Sequence, residues 1–97
     1  MLQSMNEVQN VLKPVFDQYG ISRAVLFGSV AKGTAASHSD LDLLVDSHLH
    51  GLKFTGFIED IHQAAGMPVD VFDVTHIEEG SPIDHEIRST GVIIYEK

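Results

Sequence analysis

Apolar residues recur at two different periods along this chain, and the switches between them outline its elements. Over residues 5–18, Met5, Val8, Leu12, Val15 or Phe16, and Tyr19 fall every three or four positions, which gathers them on one face of a helix. Pro14 lacks a backbone donor and predicts a kink or a split in that helix. Gly20 fits a C-cap. Ala24-Val25-Leu26-Phe27 is an apolar run of strand length. Residues 41–45 alternate, with Leu41, Leu43 and Val45 on one side and Asp40, Asp42 and Leu44 on the other. Phe54, Phe57, Ile58, Ile61 and Ala65 restore the helical stripe, which Gly66 and Pro68 close. Residues 69–74 form a third strand. Ser81-Pro82 supplies an N-cap and a first helical residue for a helix through Ile83 and Ile87 to about Ser89. Residues 92–95 make a final strand or extended tail. Between these elements, residues 29–32 predict a brief helical turn, and 33–39 and 46–51 are loops rich in small and polar residues.

Strands alternating with helices predict an α/β (α+β) fold, a small mixed β-sheet with helices packed on it. At 97 residues, the chain makes one domain, residues 1–97, with a single core. No apolar run approaches the roughly 20 residues of a membrane-spanning helix. The amino terminus lacks the basic-then-apolar pattern of a secretory signal, which makes a cytoplasmic protein the simplest expectation. The absence of cysteine excludes disulfides, thiolate metal sites and cysteine nucleophiles. Fourteen acidic against six scattered basic residues give a formal charge of −8, which argues against backbone-driven nucleic-acid binding. Divalent cations or a basic protein partner suit that charge better.

The candidate chemistry lies where the first two strands meet. Gly28 follows the first strand, and without a Cβ a backbone can turn sharply there and approach a phosphate. Ser29 would open the helical turn, where free N–H groups favour an anion and its hydroxyl adds a donor. Lys32 could add positive charge toward a triphosphate, although Gly-Ser after a strand also suits a plain turn. Asp40 and Asp42, two apart on a strand, point the same way. An edge or turn exposed to water is the ordinary explanation of such a pair. Asp70 shifts the balance, because it interrupts the apolar run Val69-Asp70-Val71-Phe72 and is expected to be a charge in a core strand. Two carboxylates about 4 Å apart repel by roughly 4 kcal/mol at an effective dielectric of 20. Such a cluster persists if one member stays protonated or if cations neutralise it, and a tertiary salt bridge is a further alternative for Asp70. Mg²⁺ prefers such oxygen ligands, and two ions can clamp an in-line displacement. Asp40 and Asp42 would then hold both ions. Asp70 would complete the one that activates the acceptor hydroxyl, and is placed to act as its base. Asp73 alternates away from Asp70 and is expected at the surface of a strand end. His48 and His50 lack a third ligand at suitable spacing and fit solvated loop residues; His38 fits a loop position.

Gly28-Ser29-Val30-Ala31-Lys32-Gly33, then Ser39-Asp40-Leu41-Asp42-Leu43-Leu44-Val45, then Val69-Asp70-Val71 resembles the minimal nucleotidyltransferases of the DNA polymerase beta-like superfamily. The lead-in Asp17-Gln18-Tyr19-Gly20 and the ending Thr90-Gly91-Val92-Ile93-Ile94-Tyr95-Glu96 are similar as well. Lys32 stands where the family often has arginine, which keeps the charge but not bidentate geometry. The resemblance implies transfer of a nucleoside monophosphate from an NTP with two Mg²⁺ ions and release of pyrophosphate. It also implies a partner, since proteins of this pattern look like the antitoxins of HEPN-domain ribonuclease toxins and attach AMP from ATP to a toxin tyrosine. With no further domain to hold an acceptor, the acceptor is expected on another molecule. Nucleotidyl transfer to a small molecule such as an aminoglycoside, and a toxin-binding module without catalysis, are the competing readings.

Overall fold

The computed structural model describes residues 5–28 and 41–97. Helix α1 (Met5–Tyr19) leads into strand β1 (Arg23–Phe27); β2 (Leu41–Asp46), α2 (Leu52–Ala65) and β3 (Val69–Asp73) follow. A 3₁₀ turn (Val74–His76), α3 (Pro82–Thr90) and β4 (Val92–Glu96) complete the chain. The helix expected to kink or split at Pro14 is one unbroken element. Pro14 and Asn10, whose carbonyl loses its partner to the proline ring, both lie on the exposed face, where water can replace the missing bond.

The four strands form one sheet in the order β3-β2-β1-β4, so the expected final strand lies at an edge beside β1. β1 runs antiparallel to β2 and β4, while β2 and β3 are parallel, which is the mixed sheet expected. The period of two then divides its side chains. Leu41, Leu43 and Val45 of β2 and Ala24 and Leu26 of β1 are buried against α1 and α2. Those helices contribute Val8, Leu12, Val15 and Phe16 from α1 and Phe57, Ile61 and Ala65 from α2. Phe57 meets Phe16 at 6.3 Å and Tyr19 at 5.3 Å between ring centres. Burying such side chains supplies about 1.5–3 kcal/mol each, which makes this layer the main source of stability.

The ends of the elements follow local chemistry. Gly66 adopts φ 70° at the end of α2 and donates its N–H to the His62 carbonyl. Ser81 caps α3 by accepting from the Asp84 N–H at 3.3 Å, with Pro82 in the first turn, as the Ser-Pro pair predicts. β3 stops one residue earlier than expected because Val74 enters the 3₁₀ turn.

Asp73 corrects an expectation. It faces the core side and is only 4% exposed. Its carboxylate accepts from the Ser47 N–H (3.1 Å) and hydroxyl (2.6 Å), and from the Thr75 N–H (3.0 Å) and hydroxyl (2.7 Å). Burial pushes its pKa up, but the Ser47 and Thr75 donors prevail and hold it at about 2, below the ordinary 3.8. The clamp ties the end of β2 to the start of the 3₁₀ turn. A pKa lower in the folded than in the unfolded chain stabilises the fold fully above about pH 4 and ceases to do so as the pH falls through about 2. We expect Asp73→Asn to cost about 2 kcal/mol at pH 7 and to flatten the loss of stability between pH 4 and 2, as measured by urea unfolding across that range.

Candidate active site

The second sheet face carries the candidate site. Register places Phe27 of β1 opposite Asp42 of β2, and Asp42 beside Asp70 of β3. Side chains two residues further along the strands lie on the same face, so Val25, Leu44 and Phe72 form the next row. The face is therefore acidic at one end and apolar in the middle. Phe27 and Leu44 are buried, and the Phe27 and Phe72 rings lie 6.0 Å apart. Leu44 and α3 residues Asp84, Ile87 and Arg88 border a groove of about 270 Å³.

Adjacent strands lie about 4.8 Å apart, so the register brings the Asp42 and Asp70 backbones to neighbouring positions with both side chains on one face. Asp42 is half-buried. Asp70 is exposed, which corrects the expectation of a charge inside a core strand. β3 is an edge strand whose Val69 turns inward, and the apolar flanks of Asp70 belong to the opposite face or lie further along. What distinguishes Asp70 is its neighbour, not its burial. Among the described residues nothing forms a hydrogen bond or ion pair with it, so the alternative of a salt bridge finds no partner there. Two carboxylates on one face, one of them open to solvent, are hard oxygen donors of the type Mg²⁺ takes.

Gly28 has a structural part besides the one its position suggested. Its φ is 85°, which favours glycine. A Cβ placed on it would lie 2.5 Å from Oδ2 of Asp42, so the missing side chain makes room for that carboxylate. Its N–H is directed inward and donates to Oγ1 of Thr90 at 2.8 Å. That hydroxyl in turn donates to the Glu86 carbonyl at 2.8 Å. The Gly28 amide is thus held by α3. Ser29, Lys32 and Asp40 lie outside the described residues, as do His38 and the helical turn and loop expected at 29–39.

Thr90 had no functional signal in the sequence beyond its place in the familiar ending, because its partner lies 62 residues away. The histidines divide among local roles. His62 Nε2 donates to the Val69 carbonyl at 2.8 Å, at the start of β3. His76 packs edge-on against Phe54, and exposed His48 lies 3.3 Å from Asp46. Among the described residues, no three histidine, aspartate or glutamate side chains cluster as a metal site.

An acidic pair at the end of a mixed sheet, beside a strand that ends at a glycine with positive φ, is an arrangement that metal-dependent phosphoryl or nucleotidyl transfer can use. The family model described as polymerase beta nucleotidyltransferase matches residues 10–97, and the chain belongs to that family. Solved structures share the fold. A chain from the crystal structure of a toxin–antitoxin with AMP-PNP superposes with a TM-score of 0.73 at 19% identity, covering 92% of this chain and 73% of that one. A chain from the MntA–HepT toxin–antitoxin gives 0.67 at 15% identity, covering 95% of this chain and 73% of that one. A chain from the tri-AMPylated Shewanella oneidensis HEPN toxin in complex with MNT antitoxin gives 0.68 at 15% identity, covering 96% and 73%. No curated protein matches the sequence.

The contact between residues 28 and 42 is open to a double-mutant test. Gly28→Ala is expected to lose about 1–2 kcal/mol from its backbone conformation alone, with a further loss from overlap with Asp42. Asp42→Ala removes the overlap. The double variant should therefore be more stable than the sum of the single losses predicts, by about 0.5 kcal/mol or more in urea unfolding. Strict additivity would show that the two residues do not meet.

Proposed function

We propose that this chain is a Mg²⁺-dependent protein adenylyltransferase that moves AMP from ATP to a tyrosine hydroxyl of a HEPN-domain ribonuclease and thereby acts as its antitoxin. The observation that carries this reading is the lateral pairing of Asp42 with Asp70 beside the Gly28 turn. Family membership supports nucleotidyl transfer. The toxin–antitoxin assemblies among the structural neighbours, one with AMP-PNP and one with a tri-AMPylated toxin, support the nucleotide and the acceptor.

In this reading Asp40, Asp42 and Asp70 would hold two Mg²⁺ ions, which supply charge neutralisation for the triphosphate and lower the pKa of the acceptor hydroxyl. Gly28, Ser29 and Lys32 would face the phosphates. Asp70, open to solvent, would accept the proton of the tyrosine hydroxyl on a carboxylate oxygen as the tyrosine oxygen forms its bond to the α-phosphorus. The bond from the α-phosphorus to the bridging oxygen breaks, and pyrophosphate leaves. Asp42 is fixed from below by its fit against Gly28, so that its carboxylate needs little rearrangement when the nucleotide arrives. The acidic surface suits a basic rim on the partner. Among the described residues no helix is long and apolar enough to cross a membrane, and a ribonuclease partner implies a cytoplasmic setting.

ATP labelled at the α-phosphate, Mg²⁺ and the cognate HEPN ribonuclease test this directly. We expect label on the ribonuclease and loss of its RNA cleavage, with Asp42→Asn and Asp70→Asn at background. Inhibition without label would favour a binding module, and label on an aminoglycoside but not on protein would favour the small-molecule reading. Asp70→Asn should leave the metal-free fold as stable or slightly more stable, since it removes a like charge beside Asp42. Mg²⁺ with ATP at a hundred times its Kd should stabilise the wild type by about 2.7 kcal/mol, seen as a higher Tm. An unchanged Tm at saturation would count against the metal and nucleotide site.

A further inference from the structure

We infer that Thr90 is a positioning residue for nucleotide binding, which rests on the nucleotidyltransferase reading above. The point where the chain leaves β1 is held by the last residue of α3, which packs on the sheet face that carries Asp42. The Gly28 N–H donates to Oγ1 of Thr90 at 2.8 Å, and the Thr90 hydroxyl donates to the Glu86 carbonyl at 2.8 Å. Because the hydroxyl has one proton, the second bond aims its lone pairs at Gly28. Gly28 is buried, so removal of the hydroxyl leaves its N–H without a partner there.

Two contacts make the arrangement rigid. At residue 91 a Cβ would lie 2.4 Å from the Ile87 carbonyl oxygen and 2.9 Å from Cγ1 of Val25, so the end of α3 abuts β1 directly. The Gly91 N–H closes the helix on the same Ile87 carbonyl at 2.7 Å. At residue 28 the space for a Cβ is filled by the Asp42 carboxylate. A rotation of the Gly28 peptide therefore disturbs Asp42, and the series Glu86 carbonyl, Thr90 hydroxyl, Gly28 amide and Asp42 carboxylate behaves as one unit. Thr90 touches neither substrate nor metal; it acts through Gly28. Its β-branched shape restricts the hydroxyl to few rotamers, and the bond to the carbonyl four residues back is an orientation threonine favours in helices.

Calorimetric titration with Mg²⁺ and AMP-PNP distinguishes positioning from general stability. Thr90→Val keeps the shape and removes the hydroxyl, Thr90→Ala removes both, and Thr90→Ser restores the hydroxyl. We expect Thr90→Val and Thr90→Ala to bind about tenfold or more weakly, and Thr90→Ser to stay within about threefold of the wild type. Asp73→Asn, at the far end of β3, serves as a destabilised control and should keep wild-type affinity despite a lower Tm. Wild-type affinity in both Thr90→Val and Thr90→Ala overturns the inference, as does equal weakening in Asp73→Asn. A wild type that itself fails to bind Mg²⁺ and AMP-PNP overturns the nucleotide reading together with this inference, an outcome distinct from the other two.

Discussion

The register of β1 against β2 is the constraint on which the site depends. It brings Phe27 opposite Asp42 and leaves the next residue of β1, Gly28, with the Asp42 carboxylate where its own side chain would be. A slip of one residue would turn Asp42 into the core and Leu43 out of it, because side chains alternate with a period of two. The apolar layer of Leu41, Leu43 and Val45 beneath α1 and α2 forbids that slip. Core burial and site geometry are consequently one choice: the same alternation that buries the leucines presents the carboxylate.

The parallel pairing of β2 with β3 adds the second acid. Parallel neighbours need a crossover, and α2 supplies it, packed through Phe57, Ile61 and Ala65. His62 fastens the end of this helix to the Val69 carbonyl one residue before Asp70. At the other end of the strand Asp73 is anchored by Ser47 and Thr75. Asp70 thus projects from the start of a strand that His62 fastens, while its own carboxylate stays open to solvent.

Much of the architecture was legible because it is local. Helical stripes, the Ser81-Pro82 start of α3, the Gly66 stop of α2 and the alternation of β2 all follow from short-range periodicity and capping. The facing of Asp42 followed from the same alternation. Features set by tertiary contact were not legible. Asp73 has the chemistry of a surface residue, and only the donors of Ser47 and Thr75 make its burial favourable. Asp70 is flanked by valines yet exposed, since it projects from the sheet face opposite the core layer of α1 and α2 that Val69 joins. Pro14 breaks no helix because its face is solvated. At Gly28 two contacts were not legible: its small size accommodates an acid within the fold, and its amide donates to Thr90.

The direct step from α3 into β4 has an evolutionary corollary. Gly91 is the only residue between them, and it sits against the Ile87 carbonyl and Val25 with no space to spare. An inserted residue at this junction would lift the helix and shift the hydroxyl beside Gly28, so length drift in descendants of this sequence should bypass it. The exposed segment 78–80 can absorb insertions without touching the acidic end of the sheet. Lineages would then diversify in loop length around an invariant spacing from residue 86 to 92.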